Sequence, residues 1–577
     1  MDKKDLNNID CHAERSRSIS SLQLCHAEFS SASIIDTMLW IPNQVRNDIL
    51  FKVFIILISL LILSAIQLSA QESNTKPLEL PNFIIEGKEQ LNIRSGIKQF
   101  PDKPSLLSKN ELDSINSLEK RQSLLLPPEP LPDRIMHSVY KKGYFTADFG
   151  RFTTASAEGG YEFRAGEYDI FGNAGFDYSS GHIINAGYDK AFINLNADYI
   201  ADEKYWIFGG SKTRTNLFFK NMDYKFYSVQ NPEQRNTINL DMKLETDGNY
   251  EGFAFNTGSG FRMLQVKQDS SKAFDNAISG YISIKNLTSD YELGGNLIVD
   301  LHSTRGNGTH FMQADLFGTY IHENFSIKAK AGLQSVYTST EIARLGLLAA
   351  GDMEFRLSEL FTIRANALIG MENNSLREII NENPYADNNV IVDYAYYLPS
   401  LRGSFVIHPN EVFTAELGVE FAMVQRRPIY FDTSGGAAFA INYTDITQLE
   451  AFAELNYYIS TMDEVSADIV LDKSEIEGGK TVPYSIPLKF ALDYKRKWLK
   501  NFGTQIGIFY ISERFTDLQN QNKLNSYVDL RLKADYSVSE MLNIFVRLEN
   551  LMNNDIRIWN GYKERGLYIT GGVLLKF

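Results

Sequence analysis

Apolar and polar residues alternate along most of the chain after residue 143. Between Phe413 and Phe421 every second residue is apolar, whereas Glu416 and Glu420 lie on the other face. Segments 238–245 and 528–536 repeat this pattern. Because successive side chains of a strand point to opposite faces, the pattern predicts strands with one apolar and one charged face. Strands of about 10 to 13 residues are longer than most soluble strands and suit a tilted crossing of a bilayer.

Short predicted turns alternate with connections that are often longer, which is typical of outer-membrane barrels. The short turns are expected at Asn286 to Asp290, His322 to Asn324, Ser358 to Leu360, His408 to Glu411, Thr461 to Glu464 and Ser537 to Glu540. The longer loops are expected near Lys220 to Arg235, Glu372 to Tyr394, Gln425 to Thr444 and Asn550 to Glu564. The sequence therefore predicts an all-β fold for residues 143–577, a transmembrane antiparallel β-barrel of about 22 strands within a range of roughly 16 to 22. A soluble sandwich would also alternate, but it would not explain the strand length or the turn asymmetry.

The chain ends on an apolar strand that stops at Phe577. In water such a strand is an aggregation hazard unless its edge is paired, and a closed barrel pairs every edge. The chain has 30 Tyr and 37 Phe. Those near strand ends, together with Trp206 and Trp498, are expected to form aromatic girdles at the membrane interfaces.

The chain begins with two segments that are expected to be absent from the mature protein. Residues 51–70 contain the apolar run Val53 to Leu68 and a small-residue exit at Ser69 and Ala70, which indicates a secretory signal peptide; a signal anchor is the alternative. Residues 1–50 precede it and repeat the tetrad Cys-His-Ala-Glu at positions 11–14 and 25–28. They are interpreted as a non-native leader, with the true translation start near Met38 or later.

Composition excludes several classes of function. The only cysteines, Cys11 and Cys25, lie in the leader, so the mature chain is expected to have no thiol, disulfide or cysteine-based metal site. The net charge is -14, most of it after residue 70, so nucleic acid is not an expected partner. The histidines show no metal-ligand spacing, and Gly479-Lys480-Thr481 lacks the first glycine of a phosphate loop. No catalytic, cofactor or metal site is predicted, and the protein is not expected to be an enzyme.

Residues 71–142 are interpreted as a periplasmic tail. It contains a short predicted helix between Ser108 and Gln122 and a stretch from Leu124 to Pro132 with four prolines, which favours a stiff extended linker.

Two segments resemble those of TonB-dependent receptors. Near the mature terminus, Phe83, Ile84, Ile85, Glu86 and Gly87 resemble the TonB box, which adds a strand to a sheet edge of TonB. The closing segment from Leu548 to Asn554, then Trp559 to Tyr562, and the last strand resemble the carboxyl end of these barrels. Thr570, Gly572, Leu575 and Phe577 fit the signal that the barrel assembly machinery reads, with Leu575 where an aromatic residue is commoner. The resemblance implies a location in the outer membrane of a Gram-negative cell, among outer-membrane lipid.

The resemblance stops between residues 88 and 142, where the family has a much longer plug domain. A barrel of this size needs something to fill its lumen, either inward loops, the tail or a second polypeptide. Three functions follow as expectations. The first is a receptor-like barrel for ligand binding or uptake, with TonB or a plug or lipoprotein partner. The others are a non-transporting barrel that anchors or scaffolds a partner protein, and a passive porin.

Overall fold

The computed structural model describes residues 142–577, except for residues 270, 289–290, 305–307, 339–340, 411 and 433–436. The predicted leader, signal peptide and nearly all of the tail, including Phe83 to Gly87, lie outside the described residues.

Within the described residues, 22 antiparallel strands form a closed barrel, as the alternating pattern predicts. In chain order the strands are β1 (Gly143–Gly150), β2 (Thr154–Ala165), β3 (Tyr168–Ser179), β4 (Tyr188–Ile200), β5 (Lys212–Lys225), β6 (Gln234–Tyr250), β7 (Phe253–Gln268), β8 (Ser271–Leu287), β9 (Tyr291–Thr304), β10 (His310–His322), β11 (Phe325–Thr338), β12 (Glu341–Arg356), β13 (Phe361–Asn373), β14 (Tyr394–Asn410), β15 (Phe413–Asp432), β16 (Phe439–Ser460), β17 (Asp463–Ile476), β18 (Lys480–Thr481), β19 (Leu488–Leu499), β20 (Phe502–Ile511), β21 (Arg514–Phe515), β22 (Lys523–Leu524), β23 (Tyr527–Ser537), β24 (Leu542–Glu549), β25 (Arg557–Trp559), β26 (Tyr562–Lys563) and β27 (Tyr568–Lys576). Helix α1 (Leu376–Glu382) lies between β13 and β14. The five short strands β18, β21, β22, β25 and β26 belong to loops and are not counted among the 22 strands of the barrel.

The last strand closes the barrel. β27 pairs with both β24 and β1. Beyond the ladder, the Gly143 N–H donates to the Phe577 carbonyl at 2.7 Å, and the Phe577 N–H donates to the Gly143 carbonyl at 2.9 Å. The terminal strand edge is therefore paired, and the barrel has no open edge.

The apolar face of the wall points outward and the polar face lines the lumen. On β6, Met242 is 50% exposed, whereas Asn239 is 3% exposed. On β15, Leu417 and Val419 are exposed and Glu420 is buried. Lumen-facing charges are paired across strands, as between Arg402 and Glu420 at 3.2 Å. This inverted arrangement is that of a barrel surrounded by lipid.

The six predicted short turns all lie at one end of the barrel, together with Gly143 and Phe577; we call this the terminal end. At the opposite end, the loop end, the strand bounds leave two to twenty residues for each connection, and most of these connections are longer than the predicted short turns. The loop predicted over Gln425 to Thr444 is wrong in its extent. β15 continues to Asp432 and β16 begins at Phe439, because the two strands stay paired beyond a bulge after Val424.

Aromatic side chains gather at the terminal end. Tyr168 and Tyr199 stack at 5.0 Å, and Phe361 and Phe405 stack at 5.3 Å. Trp498 lies near the end of β19, and its Nε1–H donates to the Thr504 hydroxyl at 2.8 Å. These rings agree with the expected girdle at this end.

No helix within the described ranges is long and apolar enough to cross a membrane.

Candidate functional site: the closed loop end

The connection between β13 and β14 holds the helix α1, a segment that the sequence pattern predicts only as part of a loop. Ser375 caps the helix: its hydroxyl accepts the Glu378 N–H at 3.1 Å, and the Glu378 carboxylate accepts the Ser375 N–H at 2.8 Å. Leu376, Ile379 and Ile380 are buried. This capping box, followed by apolar residues, was a readable signal in the sequence.

Residues 374–393, here called the lumenal loop, fold into the barrel. Both terminal nitrogens of Arg377 bond to the two carboxylate oxygens of Asp241. The Arg377 N–H also donates to Oδ2 of Asp275 on β8 at 3.3 Å. Asp241 lies seven residues below the loop-end start of β6, which is about 23 Å along the strand at the usual rise per residue. The lumenal loop therefore reaches the middle of the wall.

The same loop is attached to opposite walls. The Pro384 carbonyl accepts hydrogen bonds from the Tyr224 hydroxyl on β5 at 2.7 Å and from Nη1 of Arg235 on β6 at 2.8 Å. The adjoining residues form a parallel bridge with β16, where the Asp387 N–H donates to the Phe439 carbonyl at 2.9 Å. The loop starts at the end of β13 and binds β5 and β6, which lie eight and seven places away from β13 in a ring of 22 strands, so it crosses the lumen. The lumenal loop thus spans the barrel.

A second layer packs against the lumenal loop at the loop end. The hairpin of β25 and β26, in the connection between β24 and β27, places the Tyr562 ring on the Tyr385 ring at 3.5 Å. The Trp559 ring packs against Tyr430 at 5.4 Å and Phe439 at 5.2 Å. Tyr562 is 1% exposed. Each fully buried large apolar side chain contributes about 1.5 to 3 kcal/mol, so this aromatic cluster holds the hairpin and the lumenal loop together.

Buried polar groups add directed contacts. Arg235 is fully buried: its Nη1 donates to the Pro384 and Ala386 carbonyls, both at 2.8 Å, and its Nε donates to Oε1 of Gln268 at 3.1 Å. The Tyr430 hydroxyl donates to Glu382 at 2.9 Å. Truncating such a buried group leaves carbonyls without partners, so these contacts fix one position of the loop.

A charged network supports the wall below α1. The ring of His302, which is 3% exposed, lies between Oδ1 of Asp275 at 3.1 Å and Oδ2 of Asp300 at 3.0 Å. Arg262 bonds to the same oxygen of Asp300 at 2.7 Å. This network orients Asp275, which receives the Arg377 N–H. In α1 itself, burial raises the pKa of the Glu378 carboxyl.

A cavity of about 350 Å³ lies beside the lumenal loop at the loop end. One side belongs to residues 387–391 of the lumenal loop, with Asp387, Asn389, Val390 and Ile391, and the other to residues 440–443 of β16. A small ligand in this cavity would touch the loop and the wall at once. Among the described residues, no group of three or more His, Cys, Asp or Glu side chains is placed to hold a metal ion.

The residues predicted from the assembly signal lie away from the closed loop end, on β27 and at the chain terminus. Thr570 faces inward and is 2% exposed, and Gly572 lies on the same face. Leu575 and Phe577 face outward and are partly exposed. The TonB-box-like segment Phe83 to Gly87 falls outside the described residues.

The comparisons with known proteins are structural. No protein-family profile matches the chain, and no curated protein matches it. The FrpB iron transporter from Neisseria meningitidis has a TM-score of 0.63 and 8% identity, covering 76% of this chain and 82% of its own. The copper transporter OprC has a TM-score of 0.61 and 10% identity, and the match covers 76% of this chain and 80% of OprC. The ferric-catecholate import receptor Fiu from E. coli K12 has a TM-score of 0.59 and 8% identity, and the match covers 76% of this chain and 82% of Fiu.

All three are TonB-dependent receptors of the outer membrane. At this identity the likeness is one of fold, and it extends over a share of the chain about as large as the barrel. Together with the apolar outer face, it identifies the chain as an outer-membrane β-barrel with the 22-strand fold of the TonB-dependent receptors.

Proposed function

We propose that the protein is an outer-membrane receptor that binds a ligand at its loop end and takes it up through the barrel. The closed loop end supports this proposal. A passive porin keeps a water-filled channel open, whereas here the lumenal loop spans the lumen and is attached to both walls. Passage of a solute therefore requires movement of the loop, which is the property of a gated receptor.

The cavity beside the lumenal loop is the proposed ligand site. It is bordered by the loop and by β16, so a bound ligand would change the free energy of the loop's attachment to that wall. The structural neighbours are named for iron, copper and a ferric catecholate. Chelated metals are therefore the first ligands to test.

Uptake is proposed to depend on TonB through Phe83 to Gly87. The test measures accumulation of a radioactive ferric catecholate and of a copper chelate in cells that lack other receptors for them. A variant without residues 83–87 is expected to lose uptake at an unchanged surface level. A variant without the five residues 90–94 is the matched control and should keep it. Equal uptake by both variants would rule out coupling through the TonB-box-like segment.

A conductance measurement separates the receptor from the other candidate functions. The purified full chain in a planar bilayer is expected to be silent, because the loop end is closed. A steady conductance would identify a passive porin. A silent barrel that takes up no chelate and retains a co-purifying protein would instead be an anchor or scaffold.

A further inference from the structure

One connection at the terminal end differs from the rest. Residues 201–211, between β4 and β5, form an eleven-residue loop, whereas the strand bounds leave two to four residues for every other connection at this end. The loop is ordered by its own hydrogen bonds: the Ala201 N–H donates to the Ser211 carbonyl at 2.9 Å, and the Tyr205 N–H donates to the Asp202 carbonyl at 3.1 Å. We call residues 201–211 the outward-folded loop.

The alternation of side chains between the two faces of β6 shows on which side of the wall this loop lies. Asp241 points into the lumen, where it binds Arg377, so the even-numbered residues of β6 face outward; Leu244 is 45% exposed on that face. The loop contacts the same face. The Trp206 Nε1–H donates to the Tyr250 hydroxyl at 3.1 Å. A Cβ added to Gly248 would lie 2.8 Å from the Ser211 Cβ.

A second ring contact agrees with this direction. The Phe208 ring meets the Phe255 ring edge-on at 5.6 Å, and Phe255 pairs with Gly248 across β6 and β7. Residues paired across an antiparallel ladder share a face, so Phe255 also faces outward. The loop therefore lies on the outer wall of the barrel, not beneath the lumen.

Three outward positions of the wall under the loop, next to the outward-facing Phe255, lack an apolar side chain. Thr213 and Thr246 face outward and bond to each other through their hydroxyls at 3.0 Å, and Gly248 follows on the same face. Thr246 is only 7% exposed. The loop thus replaces missing apolar surface and shields two hydroxyls from the hydrocarbon.

The outer side of the loop is aromatic. Trp206 is 79% exposed, and Tyr205 and Phe208 are each 50% exposed. The Lys204 ammonium lies 5.4 Å from the centroid of the Tyr205 ring. Aromatic rings with a polar atom, next to a long cationic side chain, are the residues that membrane interfaces favour.

We propose that the outward-folded loop is a membrane anchor, which inserts Tyr205, Trp206 and Phe208 among the lipid headgroups at the terminal end. The lipid surface is favoured over a protein partner because the loop lies on the outer wall and continues the aromatic girdle, in which Tyr199 at the end of β4 stacks on Tyr168 at 5.0 Å. This anchoring role does not depend on the proposed uptake function.

Tryptophan fluorescence tests the proposal directly. After residue 70 the chain has three tryptophans, Trp206, Trp498 and Trp559. The variant W498F/W559F keeps only Trp206. In vesicles of phosphatidylethanolamine and phosphatidylglycerol, lipids brominated near the headgroup are expected to quench Trp206 several times more strongly than lipids brominated at the bilayer centre.

The matched control is W206F/W498F, which keeps Trp559 in the aromatic cluster and should not respond to either brominated lipid. Quenching of Trp206 by aqueous iodide but not by brominated lipid would overturn the proposal and indicate a surface for a soluble protein. If the tryptophan variants fold poorly, a spin label on Tyr205→Cys gives a second measurement. Greater access to oxygen than to a water-soluble nickel chelate is expected, and the reverse order would equally overturn the anchor.

Discussion

Removal of the Arg377 side chain tests whether the lumenal loop is held by its ion pair. The side chains of Arg377 and Asp241 are 17% and 21% exposed. Breaking a fully buried pair costs about 3 to 5 kcal/mol, and the partial exposure here reduces this to about 2 kcal/mol. Since about 1.4 kcal/mol corresponds to a tenfold change in an equilibrium constant, R377A should raise the opened fraction of the loop about thirtyfold.

Hydrogen–deuterium exchange measures this opening without any assumption about the ligand. In α1 the Ile379 N–H donates to the Ser375 carbonyl at 3.2 Å, and the Asn383 N–H donates to the Ile379 carbonyl at 2.9 Å. These amides exchange only when the loop opens. In R377A their exchange rates are therefore expected to rise about thirtyfold in the full-length protein, in keeping with the free-energy change above.

The control is R164A, which removes an exposed ion pair with Asp169 at 3.7 Å at the terminal end. Exchange in the lumenal loop should not change in this variant. D241A should match R377A, and the double variant should add little to either, because both changes remove the same contact. If R377A exchanges at the wild-type rate, the ion pair does not hold the loop, and the closure would have to be assigned to the aromatic cluster alone.

Three further predictions concern the lumenal loop and barrel closure. A386C/F439C joins two bridge partners, whose strand spacing of about 4.8 Å suits a disulfide; the oxidised variant should take up no chelate, and a reductant should restore uptake. Burial raises the pKa of Glu378 above its value in the unfolded chain, so the docked loop should be most stable at low pH and should lose this stability as the pH rises through the raised pKa. Amide exchange of the loop, corrected for the intrinsic rates, should show this trend. The E378Q variant should abolish it. A Cβ at Gly572 would lie 2.5 Å from the Phe545 ring and 2.6 Å from the Ala147 carbonyl, so G572A should lower the folded fraction on semi-native gels, whereas G571A, with 3.8 Å to its nearest atom, should not.

The sequence was sufficient to predict the wall because strand periodicity is a local signal. Alternation at Met242 and Leu244 predicts one apolar face, strand length and turn asymmetry assign that face to the lipid, and the structure confirms that it points outward. A longer loop at Glu372 to Tyr394 was predicted and is confirmed, and inward loops were one expected filling of the lumen, but the helix in this loop was not predicted, although its capping box is local. Its inward position depends on contacts between distant residues, such as Arg235 with the Pro384 carbonyl, and no spacing in the sequence reports such a pair.

The error at residues 425–444 has a related cause. The predicted range contains Thr433, Ser434, Gly435 and Gly436, residue types that are typical of turns. The strands instead extend to within six residues of each other. Phe439 and Tyr430 are buried by the lumenal loop and the hairpin, which gives this part of the wall the packing that lipid does not provide there.

Each of the two unusual loops supplies groups that complement the wall surface beside it, one on the inner face of the barrel and the other on the outer face. The inner wall offers charged groups, and the lumenal loop supplies Arg377 to Asp241 and accepts Arg235 through its carbonyls. The outer wall offers a gap at Gly248, and the outward-folded loop fills it with Ser211 and aromatic rings. The inward contacts combine these polar pairs with the aromatic cluster around Tyr385 and Tyr562, so a ligand that opens the loop end must replace contacts of both kinds. The outward contacts are apolar and face lipid, so they are suited to hold the barrel in the membrane while its loop end opens.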